Sequence, residues 1–274
     1  MDSWNREALQ QLVKEETCDG AGVKVIVKST EVRNSTGVVK ELWRVAAENE
    51  MNNNFLKTGA FHVSTPAERA IYGRPLPMLC VWSIADGIKK CRACVCGNLA
   101  EKDPLEQSWT AQAEPSSLLC ALKLGVQKHW TTSKHDVKGA FLNAHLPKDK
   151  IVIVQPPEIW IKWGIARPGE TWTLDKAVYG LRESPFLWSQ ERDARLAELK
   201  WTVGNKKYDL KRCAADSQIW FLKEETSGFQ VILGVMVVYV DDFLLLTSSG
   251  KFRDAYLASL ASVWTLAKEE ILTT

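Results

Sequence analysis

Two adjacent carboxylates, Asp241 and Asp242, interrupt the most apolar stretch of the chain. An apolar, β-branched run from Phe229 to Tyr239 precedes them, and Phe243-Leu-Leu-Leu-Thr247 resumes the pattern afterwards. A run broken by two acids and then resumed predicts a β-hairpin with both acids at its tip. Along a straight strand neighbouring aspartates point to opposite faces, whereas at a tight turn both can reach one cavity. Paired carboxylates between buried strands are costly unless a cation neutralises them, so the pattern suits a hard divalent metal. An acidic surface turn is the alternative. The turn carries no Gly or Asn and both flanks are apolar, which favours the metal.

Three other stretches carry residues with chemical potential. Ser133-Lys-His-Asp136-Val137 reads as a strand ending in a turn, with an aromatic, Phe141, five residues on. Asp136 there is either a strand-capping acid or a third carboxylate. Lys89-Lys-Cys-Arg-Ala-Cys-Val-Cys96 admits two readings. The C-x-x-C-x-C spacing of Cys91, Cys94 and Cys96 suits zinc, for which a closed structural site needs a fourth ligand. The alternation from Arg92 to Cys96 suits instead a strand that presents Lys90 and Arg92 to a phosphate. Gly180, after Tyr179, either forms a turn or lets a ligand approach the backbone closely.

The elements that must position these residues follow from periodicity. Helical spacing predicts helices over 41–51, 114–130 (buried), 186–199 (Arg192 and Arg195 outward) and 252–268, with a short one over 7–16. Strands are expected at 22–28, 78–84 and 150–154, the last stopped by Pro156 and Pro157. Ser217–Leu222 is expected to pair with 229–240 through a turn at 226–228.

The totals bound the class. A chain of 274 residues, 46% hydrophobic and 25% charged, holds one large domain or two small ones with ample core. No apolar run is long enough to span a membrane, and the first 20 residues lack the apolar core of a secretory signal. Seven cysteines, an odd number, fit a reducing compartment better than a disulfide framework. The net charge of +2 is unevenly spread: Ala121–Arg212 holds 17 Lys and Arg against 10 Asp and Glu. That excess suits a polyanionic partner or a solvated basic face.

The order of the pieces is more specific than any one of them. His135-Asp-Val-Lys-Gly-Ala-Phe-Leu-Asn143, Gln155-Pro-Pro157, Ala177-Val-Tyr-Gly-Leu-Arg-Glu-Ser-Pro185 with Trp188, and Tyr239-Val-Asp-Asp242 together resemble the reverse transcriptase of copia-type LTR retrotransposons. Weaker matches at Trp43, Ala46, Glu48 and Glu50 and at Cys91–Asn98 extend the likeness over residues 41–270. The resemblance implies an α+β, right-hand polymerase: a mixed or antiparallel palm sheet packed on helices, with fingers. Residues 1–40 are left unassigned, 41–114 correspond to the fingers region and 115–274 to the palm.

The implied reaction is nucleotidyl transfer from dNTPs to a primer 3′-hydroxyl on an RNA or DNA template. Asp136, Asp241 and Asp242 would be the catalytic residues and the ligands of two Mg²⁺ ions, with Mn²⁺ as a substitute. Phe141 would reject a ribonucleotide 2′-hydroxyl, Tyr179 and Gly180 would lie beneath the incoming nucleotide, and Lys90 and Arg92 would hold its triphosphate. Cys96, Glu183 and Ala144 depart from the basic residue, Gln and Gly usual in the family. Thumb, RNase H and integrase segments are not recognisable before Thr274, so the expectation is a piece of a Pol polyprotein whose other segments would be partners. Its expected place is a cytoplasmic particle or the nucleus, without membrane attachment. An inactive retroelement fragment that at most binds nucleic acid is the alternative. A two-metal nuclease is disfavoured by the Tyr239–Asp242 hairpin and Phe141.

Overall fold

The computed structural model describes residues 24–101, 107–225, 231–248 and 250–272, which form an α+β fold. The helix expected over 7–16 and the turn expected at 226–228 lie outside the described residues. Among these residues the strands are β1 (Val25–Val27), β2 (Phe61–Val63), β3 (Leu76–Ala85), β4 (Ile88–Val95), β5 (Thr131–Asp136), β6 (Ile153–Gln155) and β7 (Trp172–Leu174). There follow β8 (Lys200–Val203), β9 (Lys206–Arg212), β10 (Ile219–Glu224), β11 (Ile232–Tyr239), β12 (Asp242–Thr247) and β13 (Glu270–Leu272). The chain divides into two units, Met1–Glu106 with Phe141–Ser184, and Gln107–Ala140 with Pro185–Thr274.

The first unit is built on the sheet β1-β3-β6-β7-β2, with β4 paired to β3. All its pairings are antiparallel except the short β3–β6 match. The helix Gly37–Glu50 starts earlier than its periodicity suggested and runs on as a wider π-helical turn through Met51–Leu56. It thus passes through Asn52, Asn53 and Asn54, beyond the end expected at 51. Packing overrides their local preference, because Phe55 is buried in an aromatic group with Phe61, Trp160 and Trp172. Glu50, at the junction, is buried and accepts the Ala93 N–H at 3.0 Å, which ties the helix to β4. Burial pushes the Glu50 carboxyl above its ordinary range.

Strand β4 decides between the two readings of its cysteines. Alternation puts Cys91, Ala93 and Val95 on the buried face, leaving Lys90 and Arg92 exposed on the other. Cys91 and Cys94, three residues apart, therefore face opposite sides of the sheet and cannot share a zinc ion. Burial, with Cys80 beside it, pushes the Cys91 thiol far up, so it behaves as an apolar core group.

The second unit is a seven-stranded sheet in the order β13-β5-β12-β11-β10-β9-β8, antiparallel throughout. The central pair β11–β12 is covered on both faces, which is why its sequence is continuously apolar rather than alternating. On one face Val235, Val237 and Leu246 pack with Ile219 and with Ala121 of the helix Pro115–Gln127. Gly125 of that helix lies so close to Leu246 that a Cβ would stand 2.7 Å from its Cδ2. This helix was expected to be buried. Only its Ala121 and Gly125 are, with Leu118, Leu122 and Leu124 half-buried against the same cluster, while Leu119 and Val126 stay exposed, because contact is made along one side of the helix.

On the opposite face Phe243 meets Trp264, Trp264 meets Trp188 edge-on, and the buried Tyr256 hydroxyl donates to the Met236 sulfur at 2.9 Å. Each fully buried side chain of this kind contributes about 1.5–3 kcal/mol. The helix carrying Tyr256, Lys251–Val263, stops five residues before the expected end. Trp264 turns into extended backbone to reach Trp188 and Phe243, and the chain then bridges from Leu266 to Val137 and enters β13. No helix among the described residues is long and apolar enough to cross a membrane.

The helix Ser184–Glu198 corrects one expectation directly. Arg195 is outward and pairs with Glu191, but Arg192, expected outward too, is 1% exposed. It falls four residues from Trp188 and four from Leu196, both fully buried, so helical geometry places it on the inner stripe. Much of the basic charge counted between 121 and 212 is likewise committed to ion pairs, among them Lys150–Glu183, Lys200–Glu225, Lys206–Glu224 and Arg212–Asp193.

Candidate active site

The carboxylate hairpin is a two-residue turn. Tyr239 pairs with Asp242, leaving Val240 and Asp241 at the tip. Val240 has φ +55°, a conformation that costs a β-branched residue free energy and that a turn of this kind gives to Gly. Asp242 opens β12 and stands directly opposite Asp136, the last residue of β5. Directly opposite residues share a sheet face, so these two carboxylates are neighbours by register alone. Val137 N–H donates to the Asp241 carbonyl at 3.1 Å and Ala267 N–H to the Asp136 carbonyl at 2.8 Å, anchoring both backbones.

Like charges placed opposite each other destabilise a sheet. Lys134 offsets this on the same face: its Nζ lies 3.2 Å from Asp242 Oδ1. The hydrogen bond to Asp242, then the charges of Asp242, Glu270 and Asp136, hold the Lys134 ammonium above its ordinary pKa. Between Lys134 and Asp136, His135 points to the other face and is buried, with Nε2 2.9 Å from Ser133 Oγ. Burial, and then the charge of Arg253, push its pKa down to about 4, so the ring is neutral.

Carboxylates are the donors that Mg²⁺ and Mn²⁺ take. The donor type and the Asp136–Asp242 register fit a divalent cation. Among the described residues, no three His, Cys, Asp or Glu side chains converge as a preformed metal centre.

The backbone of the tip is itself gripped. The Val240 carbonyl accepts Trp188 Nε1–H at 2.9 Å and Arg192 Nη1–H at 3.0 Å. In the sequence Trp188 entered only as part of a family motif and Arg192 as an outward helical residue; neither was given a role at the site. The signal was available in the four-residue spacing that puts Arg192 on the Trp188 face of its helix.

In the first unit three of the other candidates form one stack. The Arg92 guanidinium lies over the Tyr179 ring, 4.3 Å from its centroid, and the Tyr179 and Phe141 rings meet at 4.7 Å. A cation held over an aromatic face keeps its N–H donors free at the edge for an anion. Lys90 is exposed two residues before Arg92 on the same face of β4. Gly180, at φ +94°, has its backbone pressed on β4, where a Cβ would stand 2.0 Å from the Val95 carbonyl oxygen. Its close approach is thus from a turn to strand β4, and the adjacent bond from Val95 N–H to the Tyr179 carbonyl, 2.7 Å, fixes Tyr179. Glu183, the departure from Gln, is buried with Lys150 Nζ 2.7 Å away, so its extra charge is compensated.

Residues 90–268 match the family described as reverse transcriptase (RNA-dependent DNA polymerase). The chain belongs to this family. Curated relatives agree with the copia-type resemblance. One is a retrovirus-related Pol polyprotein from transposon RE2 of Arabidopsis thaliana, 30% identical over 139 residues, 51% of this chain and 8% of the relative. Another, from Arabidopsis transposon RE1, is 28% identical over the same length and covers the same shares. A putative transposon Ty5-1 protein of Saccharomyces cerevisiae is 28% identical over 131 residues, 48% of this chain and 37% of that protein. The reverse transcriptase segment aligned here thus spans less than a tenth of the two Arabidopsis polyproteins.

Proposed function

We propose that this reverse transcriptase domain performs RNA-directed DNA synthesis, adding dNTPs to a primer 3′-hydroxyl on an RNA or DNA template. The observation that carries the reading is the Asp136–Asp242 cross-strand pair beside the Asp241 turn. Asp136, Asp241 and Asp242 are the residues that would hold divalent cations, Mg²⁺ in the first place and Mn²⁺ as its substitute. Bound there, two such ions would supply Lewis-acid activation of the primer hydroxyl and neutralise charge on the pyrophosphate leaving group.

The other roles belong to the chain's own side chains. Lys134 balances the carboxylates in the absence of substrate. Lys90 and Arg92 supply charge-assisted donors to triphosphate oxygens, Arg92 being oriented by Tyr179. Phe141, braced by Tyr179, is the bulk that discriminates against a 2′-hydroxyl. In this reading the seven-stranded sheet is the palm and the first unit carries the fingers. Template and primer backbones are held through phosphates, so sequence is not read by the protein. The remaining segments of a Pol polyprotein are its natural partners.

Primer extension on poly(rA)·oligo(dT) with Mg²⁺ tests this, comparing the chain with its Asp241→Asn variant. The expected result is extension by the first, none by the second, and equal template–primer binding by both. Extension that survives the substitution removes Asp241 from the machinery. No extension by either folded protein leaves a nucleic-acid-binding fragment.

A further inference from the structure

The hairpin tip is unusual in where its restraint comes from. The Val240 carbonyl belongs to the peptide that joins Val240 to Asp241. Fixing that oxygen fixes the peptide plane before Asp241, and with the Val137 N–H holding the Asp241 carbonyl on the other side at 3.1 Å it limits the direction in which the Asp241 Cα–Cβ bond leaves the turn. A carbonyl oxygen has two lone pairs, and here both are taken, by Trp188 at 2.9 Å and by Arg192 at 3.0 Å. The two donors sit four residues apart on one helix and approach the oxygen together.

Each donor is in turn held. Arg192 Nη2 donates to Gln218 Oε1 at 2.8 Å and to Asp193 Oδ1 at 2.7 Å, and Nε donates to the same Asp193 oxygen at 2.9 Å. Asp193 is itself paired with Arg212. Gln218 is locked to the hairpin because its own carbonyl accepts the Val238 N–H at 2.9 Å. Trp188 is braced edge-on by Trp264, 5.5 Å between centroids, and Trp264 in turn touches Phe243, the residue after Asp242. A buried guanidinium adds little to stability compared with an apolar side chain of similar volume. Val240, meanwhile, is β-branched in a left-handed conformation, which persists only where the surroundings hold it. A charged donor buried at a strained peptide beside two acids is explained by positioning.

We propose that Trp188 and Arg192 are positioning residues: they clamp the Val240–Asp241 peptide in its strained turn and so set the directions of the Asp241 and Asp242 carboxylates. The catalytic consequence rests on the polymerase reading above. The clamp does not.

Three variants of the full chain test it: Trp188→Phe, which keeps an aromatic ring against Trp264 and loses the N–H; Arg192→Met, which keeps bulk and loses the charge; and Arg192→Lys, which keeps one charged donor. Amide hydrogen exchange is read along the hairpin. Exchange at residues 239–243 is expected to quicken about tenfold in Trp188→Phe and Arg192→Met, and less in Arg192→Lys, while residues 245–247 hold within about twofold. Mn²⁺ alone, titrated without nucleotide, should bind several-fold more weakly. In primer extension kcat should fall about tenfold or more with the dNTP KM little changed, the pattern of lost alignment and not of lost substrate contact. Arg195→Ala, on the exposed face of the same helix, should alter none of these.

Unchanged exchange at the tip, or exchange that quickens equally along both strands, overturns the clamp. If Arg192→Met does not fold, Trp188→Phe decides alone. If the unsubstituted chain extends no primer, the polymerase reading fails while hydrogen exchange still judges the clamp.

Discussion

Replacing Gly180 by Ala adds one methyl group where the backbone has no room for it. At φ +94° an L-residue costs about 1–2 kcal/mol. The added Cβ would lie 2.0 Å from the Val95 carbonyl oxygen, 2.9 Å from its nitrogen and 3.0 Å from its carbonyl carbon. Comfortable carbon contacts lie at about 3.5–4.0 Å, so the segments must part by an ångström or more. The obstacle is backbone of β4, which cannot swing aside as a side chain would. Separation breaks the 2.7 Å bond from Val95 N–H to the Tyr179 carbonyl. That adds about 1–3 kcal/mol, since Val95 is buried and its N–H is left without a partner. The expected loss is therefore about 2–5 kcal/mol, a large share of the about 5–15 kcal/mol that holds a typical protein. Gly164→Ala is the internal standard. Gly164 belongs to the same unit, has φ +72°, and a Cβ there meets nothing within 4 Å, so only the backbone strain is expected, about 1 kcal/mol. Urea unfolding followed by tryptophan fluorescence gives both values. Because Tyr179 carries Arg92, the same variant should raise the dNTP KM more than it lowers kcat. A Gly180→Ala protein within 1 kcal/mol of Gly164→Ala would refute the close-approach reasoning.

Two further outcomes are expected. The His62 ring is held between Asp175 (2.9 Å) and Glu68 (2.9 Å), and these partners, Asp175 foremost, raise its pKa above 6.5. A raised folded pKa means stability fully present below pH 6.5 and lost as pH climbs through the folded value. Glu68, held at about 2 chiefly by the Thr65 backbone N–H, keeps its charge at the acid end of that window. Because the group is half-exposed the gain is under about 1 kcal/mol, so the melting temperature of the chain over that of His62→Gln should be higher by a few degrees at most at pH 6, and equal by pH 9. Phe141→Ala should raise incorporation of ribonucleotides relative to deoxyribonucleotides in single-nucleotide extension. Unchanged discrimination would take Phe141 out of that role.

Elements whose character is local were legible in the sequence. The hairpin was written in an apolar run with two acids in it, and β10–β11 pairing in two strand-like runs one turn apart. The alternation of β4 correctly set Lys90 and Arg92 on one exposed face. What escaped were features decided by distant partners. Arg192 looks like any outward helical arginine until Gln218, 26 residues on, and Val240, 48 residues on, close over it. The helix beyond Glu50 survives three asparagines because Phe55 finds Trp160 and Trp172, from segments a hundred residues later. Gly180 was open to two readings because its neighbour, Val95, is brought there only by the fold.

The same physics explains why the acids stand at this one place. A strand pair covered on both faces cannot carry a charge anywhere along its length without burying it. Val235, Val237 and Leu246 are taken by one face, and Met236, Val238, Phe243 and Leu245 by the other. The hairpin end of the pair escapes, and there the register of β12 with β5 brings Asp136 opposite Asp242. The resulting repulsion is met in part by Lys134, which is thereby the counter-charge of the carboxylates and, in the proposed reading, the group that a cation at Asp242 would have to displace. The two-sided core thus supplies a rigid arm, and the acids gather where the arm ends. Asp241 lies in the turn itself, outside the β11–β12 ladder, so its backbone is held from its two sides, by the Val137 N–H on its own carbonyl and by Trp188 and Arg192 on the carbonyl before it.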